Sequence, residues 1–252
     1  MLSKNKTKLI ASLSHKKYRD ESGLFVAEST KLVLDLLPCM HCVLLVATSE
    51  WLQAHSGLKA DETVETTADE LRKISSQKSP QGVLALFRKP DYTYSFGELK
   101  SRLSLALDDV QDPGNLGTII RVADWFGIRD IFCSPHTADA YGVKTVQATM
   151  GALARVKVHQ FELTDFLKQC AEKEIPVYGT FMNGENIYKK KLDENGIIVM
   201  GNEGNGISAN IENLISKRLL IPNFPEGQDS SESLNVGIAT ALVCAEFRRR
   251  QQ

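Results

Sequence analysis

From residue 102 onward, short apolar runs alternate with segments whose apolar residues recur at helical spacing. We predict strands at 103–107, 130–133, 155–159, 176–180, 197–200 and 219–221. Helices are predicted at 115–126, 143–151, 164–173, 208–215 and 234–250. This alternation predicts an α/β fold with a mostly parallel sheet and helices on both faces. Ligands of such sheets bind at the carboxyl ends of the strands, so the loops that follow the strands are the candidates for a functional site.

The first 88 residues alternate strands and helices on a smaller scale. Strands are predicted at 24–27, 42–47 and 82–87, and helices at 4–13, 30–37, 50–55 and 68–74. Residues 89–101 contain turn residues and show no clear periodicity. We therefore predict a small α/β domain at 1–88, a linker at 89–101 and a second domain at 102–252.

Charge is balanced over the whole chain but not along it. With 30 Lys and Arg against 31 Asp and Glu, the composition gives no global indication of nucleic-acid binding. Only basic charges precede the first acidic residue, Asp20; they are Lys4, Lys6, Lys8, Lys16, Lys17 and Arg19. The last predicted helix ends in three arginines, 248–250. Each basic segment is either a phosphate-binding patch or a solvated terminus.

The five cysteines, an odd number, indicate a reducing compartment, and we predict a cytoplasmic protein. Cys39 and Cys42 have the spacing of a metal-binding pair, but no second pair supplies the remaining ligands. Because Cys42 also opens an apolar strand, we predict core packing and no metal site. No apolar run has the length of a membrane span, and the N-terminus lacks the apolar stretch of a signal peptide.

The helix predicted at 115–126 follows a turn, Asp112-Pro113-Gly114, and Asn115 is its expected cap. Its apolar residues share one face, which we predict to be core: Leu116, Ile119, Ile120, Ala123 and Phe126. The opposite face carries Gly117, Arg121, Asp124 and Trp125. Arg121 is either a ligand for a phosphate or carboxylate group or a solvated side chain.

Two further polar stretches follow predicted strands. The first contains three glycines around an acidic residue: Gly201, Glu203, Gly204 and Gly206. Its spacing matches neither the dinucleotide fingerprint nor the phosphate loop, so a nucleotide site and a simple turn both remain open. In the second, Pro222 ends a strand, Ser233 is the expected cap of the last helix, and Asn235 lies in its first turn.

Three blocks carry a resemblance to a known family. Asp112-Pro-Gly-Asn-Leu-Gly-Thr-Ile-Ile-Arg121, Val199-Met-Gly-Asn-Glu-Gly-Asn-Gly-Ile207, and Ile221-Pro222 with Ser233-Leu-Asn-Val236 resemble the three motifs of the SpoU/TrmH family in order and spacing. This family belongs to the SPOUT class of RNA methyltransferases. The resemblance covers about residues 102 to 250, and residues 17–31 are similar to the opening of the small RNA-substrate-binding domain that many members carry.

The resemblance implies a fold, a cofactor and a reaction. The C-terminal domain would contain a deep trefoil knot, and S-adenosylmethionine would be held there, largely by backbone groups. The protein would be a homodimer with its active site near the subunit interface, and it would methylate a ribose 2′-hydroxyl of tRNA or rRNA. The catalytic positions implied are Asn115, Arg121, Ser233 and Asn235. The cofactor-binding positions implied are Met200, Gly201, Glu203, Gly206, Ile221, Pro222 and Leu234.

Several roles follow from these implied positions. A guanidinium is effectively always protonated, so we expect Arg121 to clamp the substrate rather than act as the base. We expect Gly201 to let the backbone approach the cofactor. Trp125 lies on the non-core helix face, so it should be covered by a second subunit or by an RNA base. Two departures from the family pattern are the long segment 223–232 and Gly237, which stands where a small hydroxyl residue is common.

Two other functions compete with this interpretation. A non-catalytic RNA-binding protein on the same fold is disfavoured because the motif residues Asn115, Arg121, Glu203 and Asn235 are all present. A dinucleotide-dependent oxidoreductase is disfavoured by the glycine spacing. The sequence does not identify the RNA, the modified nucleotide or the general base.

Overall fold

The computed structural model describes residues 2–225 and 233–250. The helices in chain order are α1 (Lys4–Ser12), α2 (Lys16–Ser22), α3 (Thr30–Leu36), α4 (Ser49–Ala54), α5 (Ala68–Ile74), α6 (Phe96–Leu99), α7 (Pro113–Trp125), α8 (Val143–Thr149), α9 (Leu163–Glu172), α10 (Ala209–Glu212) and α11 (Val236–Arg249). The strands are β1 (Leu24–Glu28), β2 (Cys42–Thr48), β3 (Glu62–Thr66), β4 (Val83–Arg88), β5 (Leu103–Leu107), β6 (Asp130–Cys133), β7 (Lys157–Gln160), β8 (Val177–Asn186), β9 (Gly196–Met200) and β10 (Lys217–Leu220).

The chain forms two compact units. The first contains Met1–Asp91 together with Asp139–Ala154, and the second contains Tyr92–Ala138 and Arg155–Gln252. The segment Asp139–Ala154, which we had predicted to lie in the C-terminal domain, thus packs within the first unit. Its attachment is both polar and aromatic, because the Arg19 guanidinium binds Asp139 Oδ2 at 2.7 Å and the ring of Tyr141 lies 5.0 Å from that of Phe25.

The first unit has a four-stranded sheet in the order β1-β4-β2-β3, in which β4 is antiparallel to both neighbours and β2 is parallel to β3. The predicted strands and helices of this region are confirmed, but α2 and β3 were not predicted. In α2 only Arg19 is buried, and β3 is an edge strand whose first two residues are exposed. Neither element therefore has the apolar periodicity by which such elements are recognised.

The second unit has a six-stranded sheet in the order β10-β8-β9-β5-β6-β7, and every neighbouring pair is parallel. This confirms the predicted α/β class. The two central strands β5 and β9 are buried along their whole length, as expected for strands covered on both faces. The trefoil knot stays a prediction.

Two expectations about this unit were wrong in detail. Residues 96–99 of the predicted linker form α6, and Leu99 is buried in the core of the unit. Gly117, which we expected on the open face of α7, is buried, because α7 packs against α11. The remainder of the open face is as predicted, and Trp125 is 85% exposed.

The basic C-terminus has a structural role. Arg249 and Arg250 both bind Glu246, at 2.8 and 2.7 Å, and Arg250 also donates to the backbone carbonyls of Ile187 and Tyr188. The Arg248 side chain donates to the Phe126 carbonyl. Each of the three guanidinium groups thus has a partner within the protein, while the Arg249 side chain stays 65% exposed.

The cysteine prediction is confirmed for Cys42, which is 3% exposed and packs in the first unit. Burial raises the pKa of its thiol to about 11, so the thiol is protonated at neutral pH and is a poor metal ligand. Among residues 2–225 and 233–250, no three His, Cys, Asp or Glu side chains are grouped to hold a metal ion. Within the same residues, no helix is long and apolar enough to cross a membrane.

Candidate functional site

Side chains from all three motifs meet in one hydrogen-bonded chain. Asn235 Nδ2 donates to Asn115 Oδ1 at 2.9 Å, and Asn115 Nδ2 donates to Glu203 Oε1 at 2.9 Å. The three residues follow β10, β5 and β9, whose carboxyl ends lie at the same edge of the parallel sheet. Residues that are about 90 and 120 positions apart in sequence are thereby joined into one polar cluster.

Asn115 is free to join this chain because another residue caps its helix. Asp112 is the N-cap of α7, its Oδ1 accepting the backbone N–H of Asn115 at 2.7 Å, and Pro113 begins the helix. The expectation that Asn115 caps α7 was therefore wrong. Proline is well suited to the first helical position because it lacks the N–H that would have no partner there.

Asn235, not Ser233, caps α11. Its Oδ1 accepts the backbone N–H groups of Gly237 and Ile238 at 3.0 and 3.3 Å, so only its Nδ2 remains to bind Asn115. This fixes the donor-to-acceptor direction of both hydrogen bonds, because the Asn115 amide must then accept from Asn235 and donate to Glu203. The predicted cap Ser233 lies three residues before the helix begins.

Glu203 holds the glycine-rich loop against the start of α7. Besides Asn115, its carboxylate accepts longer hydrogen bonds from the backbone of Gln111 and Asp112, at 3.4 and 3.5 Å. Glu203 was predicted to bind the cofactor, but it does not line the cavity described below. The structure places it with the catalytic candidates Asn115 and Asn235 instead.

Arg121 projects from the exposed face of α7. It forms no ion pair with any residue in the described ranges, whereas Arg19, Arg102 and Arg218 all do. An exposed guanidinium whose donors are not engaged by a carboxylate can bind a phosphate with two parallel hydrogen bonds. This arrangement is suited to an anionic ligand outside the protein.

A cavity of about 370 Å³ lies beside the hydrogen-bonded chain, where β9 and β10 end and next to residues 180–182 in the middle of β8. Of the predicted site residues, Gly206, Ile221, Ser233 and Leu234 line it. The others that line it were missed: Thr180, Phe181, Met182, Asn205, Ile207, Glu212, Leu220 and Ala239. Its size and its mixture of apolar walls with a few polar groups are typical of sites for small organic ligands.

Met200, Gly201 and Pro222 were predicted to bind the cofactor but do not line the cavity. Met200 is 1% exposed, and its carbonyl accepts the N–H of Asp108 at 2.9 Å. A Cβ on Gly201 would lie 2.3 Å from the Gly206 carbonyl carbon and 2.4 Å from the Ile207 nitrogen. The close approach to Gly201 is thus made by its own loop, and the glycine lets that loop close.

The loop is tied down by Asn202 and by the end of β5. Asn202 Oδ1 accepts the N–H groups of Gly204 and Asn205, at 2.9 and 3.0 Å, and its Nδ2 donates to the Asp109 carbonyl. The N–H of Ser208 donates to Asp108 Oδ2 at 2.7 Å. These bonds hold Gly206 and Ile207 at the cavity wall, so the residues present fit a nucleoside-containing ligand contacted by loop backbone and apolar side chains.

Comparison with known proteins identifies the family of the chain. Residues 102–245, more than half of the chain, match the SpoU rRNA Methylase family, and residues 4–85 match the MRM3-like substrate binding domain. The 23S rRNA (guanosine(2553)-2′-O)-methyltransferase RlmP of Bacillus subtilis is 29% identical over 238 residues, which cover 94% of this chain and 93% of that protein.

Two solved structures show the same fold over nearly the whole chain. A putative RNA methyltransferase of the TrmH family from Porphyromonas gingivalis is 43% identical with a TM-score of 0.91, covering 99% of each chain. The AdoMet-bound rRNA methyltransferase from Sinorhizobium meliloti is 29% identical with a TM-score of 0.85, covering 100% of this chain and 97% of the other. The chain therefore belongs to the SpoU rRNA methylase family, and it is an enzyme that uses S-adenosylmethionine to methylate ribose 2′-hydroxyls of RNA.

Proposed function

We propose that the enzyme methylates ribosomal RNA and that Asn115, Arg121 and Asn235 are its catalytic residues. The observation that carries this proposal is the chain from Asn235 through Asn115 to Glu203, which joins all three motifs beside the cavity. Ribosomal rather than transfer RNA is favoured by the relative RlmP, a 23S rRNA methyltransferase similar over nearly the full length of both chains.

In the proposed mechanism, the protein mainly aligns two reactants. S-adenosylmethionine supplies a methyl group that its sulfonium already activates. The oriented amides of Asn115 and Asn235 position the ribose, while Arg121 binds the adjoining phosphate and stays protonated throughout. Positioning of this kind can supply a large part of a rate enhancement. The hydroxyl proton passes to water or to the RNA phosphate.

The cofactor is assigned to the cavity, with Gly206, Ile221 and Leu234 in contact with it. Met200, Gly201 and Pro222 support the two loops that carry these residues. Ser233 also lines the cavity and is assigned to the side nearer the ribose. The segment 226–232, part of the unusual length noted in the sequence, lies outside the described residues.

The decisive experiment for this function is methyl transfer to defined RNA. The purified enzyme is incubated with labelled S-adenosylmethionine and, separately, with total ribosomal and total transfer RNA from a strain that lacks the gene. We expect label in ribosomal RNA at one ribose, located by resistance of its 3′ linkage to alkali. Label only in transfer RNA would refute the substrate assignment, and transfer to neither RNA would refute the activity.

We further propose a homodimer formed over the exposed face of α7 and α11. Trp125 on α7 is 85% exposed, and Ile238 and Leu242, four residues apart on α11, are 55 and 38% exposed. Large exposed apolar side chains on two helices favour burial against a partner, and a second copy of the chain would cover them.

Sedimentation tests the dimer. Trp125→Ala removes the most exposed aromatic anchor, so it should shift the protein toward monomer at low micromolar concentration and lower activity. Anchors near an interface centre often contribute ~2 kcal/mol or more. A fully dimeric variant with weakened RNA binding would assign Trp125 to an RNA base instead.

The first unit is assigned to RNA binding, with a narrower basic surface than the sequence suggested. Arg19 is buried against Asp139 and Lys6 is paired with Glu62, whereas Lys4, Lys8, Lys16 and Lys17 are exposed. Replacing these four lysines by Gln should weaken RNA binding and flatten its salt dependence, because fewer counterions are released. The affinity for S-adenosylhomocysteine should not change, and an unaltered salt slope would exclude the role.

We also place the enzyme in the cytoplasm. Four buried cysteines, Cys42, Cys133, Cys170 and Cys244, are free thiols, which agrees with a reducing compartment. Fractionation of cells that express the tagged full-length protein tests this, and recovery with the membrane or the medium would contradict it.

A further inference from the structure

One wall of the cavity is formed by a part of β8 that leaves the sheet. Tyr178 and Gly179 pair with Lys217 and Arg218, but the next pair joins Glu185 to Leu219. The residues from Thr180 to Gly184 therefore have no partner in β10, and the pairing of β8 with β9 ends at Gly179. Since no strand ladder holds this excursion, its shape depends on side-chain contacts.

Phe181 is the aromatic residue of the excursion, and it lines the cavity. Gly179 makes room for its ring, because a Cβ on Gly179 would lie 2.8 Å from Phe181 Cε2 and 2.4 Å from Ile215 Cδ1. Phe181 packs against the buried core cluster of the second unit on this side. These contacts limit the ring on its inner side but leave its outer face uncovered.

Arg218 covers that outer face. Its guanidinium carbon lies 3.6 Å from the centroid of the Phe181 ring. The guanidinium is itself fixed, because Nη1 donates to Glu212 Oε1 at 2.5 Å and Nη2 donates to Asn183 Oδ1 at 2.6 Å. Glu212 is a cavity residue, and Asn183 belongs to the excursion. Arg218 itself does not line the cavity.

We propose that Arg218 is a positioning residue for the cofactor, acting through Phe181. The planar guanidinium stacks on the ring and ties the excursion to α10, so Phe181 is held as a fixed wall. A wall that is fixed in advance lowers the cost of ordering it when the cofactor binds. This proposal rests on the assignment of the cofactor to this cavity. It concerns the cofactor affinity and the cofactor KM, not the chemistry of transfer.

Calorimetry with S-adenosylhomocysteine on the full-length protein tests the proposal. Arg218→Met keeps the length of the side chain but removes the charge and both anchors, and we expect about tenfold weaker binding. Arg218→Lys should remain weak, because an ammonium group has no planar face to stack on the ring. Arg129→Met, which removes an exposed arginine outside the cavity lining, is the matched control and should bind as wild type.

A double-mutant cycle separates action through Phe181 from a general structural effect. Phe181→Leu should also weaken binding about tenfold, and the double variant Phe181→Leu with Arg218→Met should be little weaker than either single variant. In turnover assays Arg218→Met should raise the cofactor KM and leave kcat at saturating cofactor unchanged. Effects that multiply, or an Arg218→Met variant that binds as wild type, would overturn the proposal.

Two further results keep the outcome unambiguous. If Phe181→Leu and Arg218→Met both bind S-adenosylhomocysteine as wild type does, the assignment of the cofactor to this cavity fails, and this inference fails with it; if only Phe181→Leu is weakened, the cavity assignment stands and the role of Arg218 fails. If Arg218→Met loses its cooperative thermal transition, Asn183→Ala replaces it, because that change removes only one anchor of the guanidinium. Asn183→Ala should weaken binding about threefold, and binding equal to wild type would overturn the proposal.

Discussion

The two ends of the six-stranded sheet carry polar clusters that differ in how fully their side chains are engaged. At the amino-terminal ends of β5 and β6, Arg102 binds Asp130 at 2.8 Å, and His159 Nε2 lies 3.0 Å from the same carboxylate. Asp130 is 1% exposed. At the carboxyl ends, the chain of Asn235, Asn115 and Glu203 reaches the surface, and Arg121 has no ion pair among the described residues.

The difference shows what distinguishes a functional cluster from a structural one. Buried charges must be paired, because burial without a partner is costly, and the ion pair with Arg102 gives the Asp130 carboxylate an opposite charge within the protein. The cluster at the carboxyl ends keeps donors and acceptors available to a ligand. Polar side chains at a sheet end are therefore informative only together with their exposure and their partners.

The largest expected effect is on methyl transfer, and it comes from a substitution in the cluster at the carboxyl ends of the strands. Arg121→Ala should lower methyl transfer by about 10²-fold or more, because one charged donor at the reacting group is lost. The affinity for S-adenosylhomocysteine should stay near wild type. Single-turnover transfer to ribosomal RNA and calorimetry measure the two quantities.

Two variants sharpen this test. Arg121→Lys should also fail, since an ammonium group cannot make the paired hydrogen bonds of a guanidinium. Arg129→Ala removes an exposed arginine that follows the same helix and should transfer as wild type. Wild-type turnover in Arg121→Ala would remove this residue from the site.

A substitution in the Asp130 cluster, at the amino-terminal ends of the strands, should affect stability instead. Asp130→Ala leaves His159 buried and Arg102 with only its exposed partner Glu98, so we expect a loss of ~3 kcal/mol in the free energy of unfolding. Urea denaturation measures the loss, and transfer per folded molecule should be unchanged. Asp165→Ala, which breaks an exposed pair with Lys168 at 3.3 Å, is the control and should change little. Lost transfer with unchanged stability would contradict the structural role.

The smallest effect concerns an ion pair of intermediate exposure. Hydrogen bonds from Lys217, and then from Tyr178, hold the pKa of Asp193 below its ordinary value of 3.8. A lowered pKa stabilises the fold above the ordinary value, and the contribution is lost as the pH falls through the lowered pKa. Asp193→Asn should therefore be less stable than wild type at pH 7, by at most about 1 kcal/mol because solvent screens the pair.

Denaturation at several pH values checks this prediction. The gap between Asp193→Asn and wild type should close as the pH falls through the lowered pKa of Asp193, because the wild-type carboxyl group then becomes protonated as well. A gap that is constant from acid to neutral pH would show that the loss is steric rather than electrostatic.

Much of the second unit could be predicted because its strands are short, apolar and bounded by turns. The predicted bounds of β5 and β6 agree with the structure, and the three polar loops were correctly placed after strands. The residues that cap the helices were harder to predict from the sequence. Asp112 and Asn115 can both cap a helix, and the sequence does not show that the first does so and leaves the second free. The same ambiguity affected Ser233 and Asn235.

The cavity was predicted less completely than the polar chain. The cavity residues that belong to the family motifs could be predicted from the sequence. Phe181, Glu212 and Arg218 could not, because they come together only where β8 leaves the sheet for five residues and then returns. No local pattern encodes that register change. The packing of Asp139–Ala154 within the first unit was missed for a similar reason, since it depends on contacts such as Arg19 with Asp139, 120 positions apart.

The central claim is that the hydrogen bond from Asn235 to Asn115 orients the two amides that position the ribose, and one substitution separates this role of Asn235 from helix capping. Asn235→Asp keeps an oxygen that can accept from Gly237 and Ile238, so α11 keeps its cap. It removes the donor to Asn115. The account predicts an unchanged melting temperature, unchanged S-adenosylhomocysteine affinity, and methyl transfer to ribosomal RNA lowered by about 10²-fold. Wild-type transfer by Asn235→Asp would contradict it.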